Sequence, residues 1–262
     1  MKAEVNKQPD NLVDILPSEL SCYQKNHTFN WLSTDDQATF SRNVADADSK
    51  DKLRKLGYLE SAISYKTDSL GFRNDTVNIS DSVLALGCSY TVGIGLHQHE
   101  TWPYLLSTQI ATPVYNAGQD GTGADTAFRI ARTLVPEYQP QAVFLLAPFS
   151  NRFELNSEFL PLVTTAETNA TTTTIGPSCN QKEYGDLSRI LFNEEMMMVQ
   201  QEKNILAIHQ ICVDHNVPFY CIQVEDIMHL ILEQRGARDL LHPGVTVQQQ
   251  IADLFFEQYS TH

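Results

Sequence analysis

Val83-Leu84-Ala85-Leu86-Gly87-Cys88-Ser89-Tyr90-Thr91-Val92-Gly93-Ile94-Gly95 is the stretch that decides the fold. Four apolar residues and a glycine have the length of a buried strand, and a loop rich in hydroxyls and glycines follows. A helix comes next, with Trp102, Leu105, Leu106 and Ile110 on one face, Thr101 as N-cap and Pro103 in the first turn. Moving outward, the same alternation recurs. Residues 113–116 read as a strand, residues 118–123 as a glycine-rich loop, and the following helix turns Ala124, Phe128, Ala131 and Val135 inward. The run 142–147 is continuously apolar, as expected of a strand covered on both faces. A fourth strand, 218–224, follows a helical region from about 186 to 215, and a last helix from about 245 to 259 presents Val247, Ile251, Leu254 and Phe255. Strands alternating with helices predict an α/β domain on a parallel sheet, spanning residues 81–262.

Outside that rhythm the chain reads differently. Residues 1–80 look like an irregular, polar N-terminal extension, partly ordered and packing on the main domain, with a charged run at 46–55 (DADSKDKLRK) and a more ordered stretch at 65–74. Between about 153 and 185 the alternation lapses, and residues 164–174 (TTAETNATTTT) are expected to form a mobile insertion, because such sequence buries little apolar area.

Composition excludes several functions. With 18 Lys and Arg against 32 Asp and Glu, the 262-residue chain carries a formal charge of −14, which repels nucleic acid and anionic membranes alike. No apolar run approaches the roughly 20 residues that span a bilayer. Residues 11–16 are interrupted by Asp14 and lack a preceding basic region, so no secretory signal is expected and the location is read as cytoplasmic. Five cysteines without a CxxC pair fit free thiols better than a disulfide framework or a zinc site. The glycosylation triplets at Asn26, Asn74, Asn78 and Asn169 then read as chance matches.

In open parallel sheets the ligand site lies beyond the carboxyl ends of the strands. Four groups of polar residues are expected there: Ser89 and its loop, the glycines after Asn116, Asn151 with Ser150 and Arg152, and Asp239-Leu240-Leu241-His242-Pro243. Together they suit acyl transfer. A serine hydroxyl needs a base to take its proton and donors for the oxyanion that forms. Ser89 is the candidate nucleophile and His242 the base. Asp239, three residues earlier, would share a face with His242 on a helical turn and orient its ring. The backbone amides of Ser89 and Gly121 and the side-chain amide of Asn151 would bind the oxyanion, each such donor being worth roughly 3 to 4 kcal/mol of barrier.

Competing readings are weaker. Gly118-x-x-Gly121-x-Gly123 lacks the dinucleotide order and a ribose-binding acid, so no cofactor is implied. His97 and His99 lack a further ligand and read as exposed. Cys88 is an alternative nucleophile but is expected to be buried and inert. Met196, Met197 and Met198 read chiefly as helix core, with a minor share lining an acyl pocket. Arg73 reads as structural, and Arg152 as either structural or substrate-contacting.

The residues 87–95, 116–121, 151 and 239–243 resemble, in order, the four blocks of the SGNH (GDSL-type) hydrolases, over residues 83–259. That resemblance implies a flavodoxin-like three-layer α/β/α sandwich and a Ser-His-Asp esterase site with a Ser, Gly, Asn oxyanion hole: Ser89, His242 and Asp239, with Gly121 and Asn151. Asp68-Ser69-Leu70-Gly71-Phe72-Arg73 resembles a segment that precedes the nucleophile block in some bacterial members, including carbohydrate-modifying ones. Three departures stand out. Cys88 occupies the family's Asp position, Phe149-Ser150-Asn151-Arg152 replaces Gly-x-Asn-Asp, and the block II glycine could be Gly118, although the interval from Asn116 favours Gly121. The expectation is a serine esterase acting on a small acyl ester, acetyl by analogy, on a small molecule or carbohydrate, without cofactor or metal. Its rate should rise as His242 loses its proton. The alternatives are an O-acyltransferase using the same intermediate and a catalytically silent carbohydrate-binding module. Oligomeric state is not legible.

Overall fold

The computed structural model describes residues 20–75, 78–156, 172–175 and 194–261. In the first of these stretches Thr28–Phe29 (β1) pairs antiparallel with Tyr65–Lys66 (β2), and between them lie helices Gln37–Ala45 (α1) and Ala47–Lys55 (α2). The charged run at 46–55, read above as irregular, is therefore a helix. Asp36 caps α1 by accepting from the Thr39 N–H at 2.6 Å, and Asp46 caps α2 by accepting from the Ser49 N–H at 2.9 Å. Lys52, Arg54 and Lys55 in the last turn of α2 suit the negative end of its dipole. Leu53 is the one buried residue of α2, and it joins Tyr58, Ile63 and Tyr65 in a core with Val92, Ile94, Leu96 and Ala237. A single inward leucine leaves no periodic trace in the sequence.

The central sheet is made by Val83–Gly87 (β3), Val114–Asn116 (β4), Val143–Ala147 (β5) and, beyond a ribbon of Phe153–Asn156 (β6) and Thr172–Ile175 (β7), Phe219–Gln223 (β8). Its order is β4-β3-β5-β8, parallel throughout. The helices are Ser89–Val92 (α3), Trp102–Ile110 (α4), Ala124–Tyr138 (α5), Glu194–Asp214 (α6), Met228–Glu233 (α7) and Val245–Ser260 (α8). On one face Leu84 and Leu86 pack against Ile130 and Leu134 of α5 and Ile208 and Cys212 of α6. On the other, Ala85 and Phe144 pack against Trp102 and Leu106 of α4 and Val247 and Phe255 of α8. The result is a three-layer α/β/α sandwich with the flavodoxin-like order, its chain reversing direction across the sheet at β3.

Two readings of the sequence change. Thr172–Ile175, assigned above largely to a mobile insertion, pairs antiparallel with Phe153–Asn156; the β-branched threonines that make the stretch polar also suit a strand. The rest of that insertion, with Cys179, Asn169 and the helical residues expected from 186 to 193, lies outside the described residues. Of the three consecutive methionines, only Met197 is core, while Met196 and Met198 are exposed. Among the described residues no helix is long and apolar enough to cross a membrane.

Candidate active site

The carboxyl end of β3 abuts that of β5, with Gly87 opposite Leu146. Only glycine fits there: a Cβ on Gly87, whose φ is +153°, would lie 2.2 Å from Thr91 Oγ1 and 2.7 Å from the Leu146 carbonyl oxygen. The next residue, Cys88, is extended and fully buried, and Ser89 opens α3. As the first residue of a helix, Ser89 has a backbone N–H with no intrahelical acceptor. The residue is 3% exposed, and neither its N–H nor its hydroxyl has a hydrogen-bond partner among the described residues.

Asp239 and His242 lie in the turn between α7 and α8. Asp239 Oδ2 is 2.6 Å from His242 Nδ1, with the carboxylate side chain wholly buried and the imidazole 13% exposed. The helical turn expected at this point is absent. Leu240 has φ +59°, in the left-handed region, and Asp239 Oδ1 accepts from the Leu241 and His242 N–H groups at 3.0 Å each. The carboxylate thus closes its own turn, which brings the two side chains together without a helix. Burial pushes the Asp239 carboxyl up, but hydrogen bonds from His242 and Thr34 and the charge of the ring outweigh it and hold the group below its usual range. Since an ionised carboxylate only accepts, Nδ1 carries the proton of the neutral ring and leaves Nε2 as the acceptor.

Residues far upstream complete this turn. The Thr34 hydroxyl donates to Asp239 Oδ2 at 2.7 Å, and Asn43 Nδ2 donates to the Asp239 carbonyl at 3.1 Å. Arg238 is clamped in a bidentate ion pair by Asp35, through Nε at 2.8 Å and Nη2 at 2.6 Å. The same carboxylate accepts from Tyr65 OH, which in turn accepts from the Gly95 N–H. The Arg238 N–H donates to the Gly95 carbonyl at 2.8 Å, so the 238–242 turn is docked on the chain just beyond Ser89. The ring of Tyr90, adjacent to Ser89, meets the His242 ring edge-on at 5.6 Å and the Phe149 ring at 6.1 Å. Ser89 and His242 are not hydrogen-bonded to one another, a contact that commonly closes only around substrate.

The loops after β4 and β5 also meet. Gly123 lies against the Arg152 carbonyl, and Arg152 Nη1 reaches the Thr122 carbonyl at 3.5 Å while its guanidinium stacks over Phe149 at 5.0 Å. The two candidate glycines differ. The Gly118 N–H donates to Asn116 Oδ1 at 3.0 Å, and a Cβ there would lie 2.7 Å from the Val92 nitrogen. Gly121, with φ +69° and open space around it, has an N–H without a partner among the described residues, as does the half-buried Asn151 amide. A cavity of about 140 Å³ lies beside Arg152, lined by Asp125, Phe149, Ser150, Gln201 and Asn204 among others, and its lining includes none of Ser89, Gly121, Asn151, Asp239 and His242. A roomier one of about 650 Å³, bordered by His27, Lys66, Asp68, Tyr115 and Tyr138, includes none of these site residues.

Other residues singled out in the sequence have structural positions. Arg73 pairs with no acid among the described residues: it donates to the carbonyls of Val92, Gly93 and Leu96, bracing the backbone after Ser89. His97 and His99 stack at 5.4 Å, with His97 Nε2 2.8 Å from Ser61 Oγ, and burial lowers the His97 pKa. No group of three metal-ligating side chains occurs among the described residues. Burial pushes the thiols of Cys22, Cys212 and Cys221 up to about 12, away from thiolate chemistry. Asn74 is buried, its amide bonded to Asn116 and Asp68, which closes it to a glycan. Sequence reasoning missed Thr34, Asp35 and Asn43, which stand some 200 residues from the turn they support and carry no local motif.

No protein-family model matches the chain, and no curated protein does. Among solved structures it is similar to a protein assigned to the G-D-S-L lipolytic family from Desulfitobacterium hafniense DCB-2, at 13% identity and TM-score 0.34, over 69% of this chain and 74% of that one. It is also similar to the psychrotrophic esterase EstA from Pseudoalteromonas sp., in a structure inhibited by monoethylphosphonate, at 19% identity and TM-score 0.35, over 69% of this chain and 97% of that one. At this level of likeness, function has to be read from the chain's own residues.

Proposed function

We propose that the chain is a serine esterase that hydrolyses a small acyl ester through an acyl-Ser89 intermediate. The observation that carries this reading is the Asp239–His242 pair at 2.6 Å, docked on the chain just beyond a buried serine whose hydroxyl has no hydrogen-bond partner among the described residues. His242 Nε2 takes the Ser89 proton as Oγ attacks the ester carbonyl, and Asp239 stabilises the imidazolium so formed. The N–H groups of Ser89 and Gly121 and the Asn151 amide receive the oxyanion. The carbonyl is then restored, the alcohol leaves with the proton from His242, and water repeats the sequence to release the carboxylic acid. An acetyl ester on a carbohydrate-like alcohol is the substrate we infer, by analogy with the hydrolase family that the sequence resembles.

A fluorophosphonate probe is expected to label Ser89, and Ser89→Ala to abolish both labelling and turnover of an activated acetate ester. Turnover that survives in Ser89→Ala refutes the serine mechanism. Saturable carbohydrate binding without labelling would instead indicate a silent module, and product analysis with added sugar separates hydrolysis from acyl transfer.

A further inference from the structure

We infer that Thr34 is a positioning residue for acyl transfer, its hydroxyl holding Asp239 Oδ2 in place against His242 Nδ1. The inference rests on the esterase reading and adds to it a residue that lies 205 positions away in the chain. The two oxygens of Asp239 are held differently. Oδ1 is fixed by the amides of its own turn, Leu241 and His242. Oδ2 faces the imidazole, and the hydrogen bond from Thr34 Oγ1 at 2.7 Å is its other restraint. Thr34 Oγ1 also lies 3.3 Å from His242 Nδ1, so hydroxyl, carboxylate and ring form a closed triangle. The carboxylate can only accept, so the hydroxyl proton points at Oδ2 and an oxygen lone pair faces the ring. When the imidazolium forms, its Nδ1–H meets an oxygen already held in line.

Thr34 is itself over-determined. Leu32 and Asp35 exchange backbone hydrogen bonds at 3.0 and 3.1 Å across it. Asp35 then grips Arg238 while Thr34 grips Asp239, so two consecutive residues of one segment hold two consecutive residues of the other. Both side chains of the Asp35–Arg238 pair are at least 97% buried. Thr34 itself is exposed, and it is this buried neighbouring pair that anchors its segment against the 238–239 backbone.

The test compares Thr34→Val, which keeps the shape and removes the hydroxyl, with Thr34→Ser, which keeps the hydroxyl, both in the full chain. Three readouts are taken: steady-state hydrolysis of an activated acetate ester, the rate of fluorophosphonate labelling at Ser89, and the far-downfield proton NMR resonance of the His242 Nδ1–H. Thr34→Val should lower kcat about tenfold, or ~1.4 kcal/mol, with KM unchanged, slow labelling by the same factor, and move the resonance. Thr34→Ser should restore all three. Wild-type values in Thr34→Val, or equal impairment in both variants, overturn the inference; if Thr34→Val fails to fold, Thr34→Ala carries the same expectations. A wild-type protein that neither labels nor turns over refutes the esterase reading separately. The resonance alone then decides for Thr34: movement in Thr34→Val supports its hold on the Asp239–His242 pair, and an unmoved line ends it.

Discussion

Replacing Asp35 with alanine tests whether the N-terminal segment holds the Asp239–His242 turn by a buried charge. The lost hydrogen bonds matter less than the guanidinium left behind. Arg238 is 3% exposed, and a buried ion stripped of its partner costs about 3–5 kcal/mol. Three of its contacts survive the substitution: the Asn30 carbonyl at 3.2 Å, the face of Trp31 at 4.2 Å and that of Phe40 at 5.9 Å. A cation over an aromatic face recovers ~0.5–2 kcal/mol, so the lower end, about 3 kcal/mol, is expected. Equilibrium urea unfolding followed by circular dichroism measures it; with an m-value of about 3 kcal/mol/M the midpoint should fall by about 1 M. The decisive comparison is Asp35→Ala with Arg238→Met. Removing the charge together with its partner leaves nothing unpaired, so the double variant should be more stable than the two single losses predict by at least ~1.5 kcal/mol. A loss below ~1 kcal/mol in Asp35→Ala, or strict additivity in the pair, would show that the ion pair is not the latch.

Two further outcomes follow from the geometry. Burial pushes the Asp125 carboxyl up to about 6, partly offset by the backbone N–H of Glu154 and reinforced by the Glu154 charge. The folded chain therefore keeps a proton that the unfolded chain, titrating near ~3.9, has lost, so the contribution of this one group to stability is full below about pH 4 and declines as pH rises through 6. Asp125→Asn should gain roughly 1–3 kcal/mol at pH 8 relative to pH 4 in chemical denaturation; an equal change at both pH values contradicts the assignment. Gly95 has φ +74°, and a Cβ there would lie 2.9 Å from both Ala237 Cβ and the Arg238 nitrogen, whereas Gly57, at φ +80°, has open space. Gly95→Ala should therefore lower ester turnover while Gly57→Ala, which bears only backbone strain, should not; equal turnover in the two would mean that the docking of the 238–242 turn does not matter.

The sandwich was legible because β3, β5 and β8 are short apolar runs closed by polar or glycine residues, and α5 and α8 present their apolar residues at helical spacing. The candidate site was legible only where chemistry and neighbours in sequence coincide, as at Asp239 before His242, whose side chains the fold brings together. Even there the local conformation was misjudged, since nothing about leucine announces the left-handed Leu240. The helices α1 and α2 escaped because their only strong signals are the capping aspartates, with Leu53 alone turned inward from α2. Thr34 and Asp35 escaped for a different reason: each is an ordinary polar residue whose partner is fixed by tertiary docking rather than by spacing. The Thr-rich strand β7 was hidden by composition, which weighs polarity but not pairing.

The clamp between residues 34–35 and 238–239 also has a temporal consequence. At roughly 5–20 residues per second, a ribosome needs about 10 to 40 s to travel from Thr34 to Asp239. Throughout that interval Asp35 waits for its counterion, and Thr34 for the carboxylate it holds. The turn that holds Asp239 and His242 therefore docks on a segment made about 200 residues earlier, beginning with the appearance of Arg238 and completed by the four residues after it.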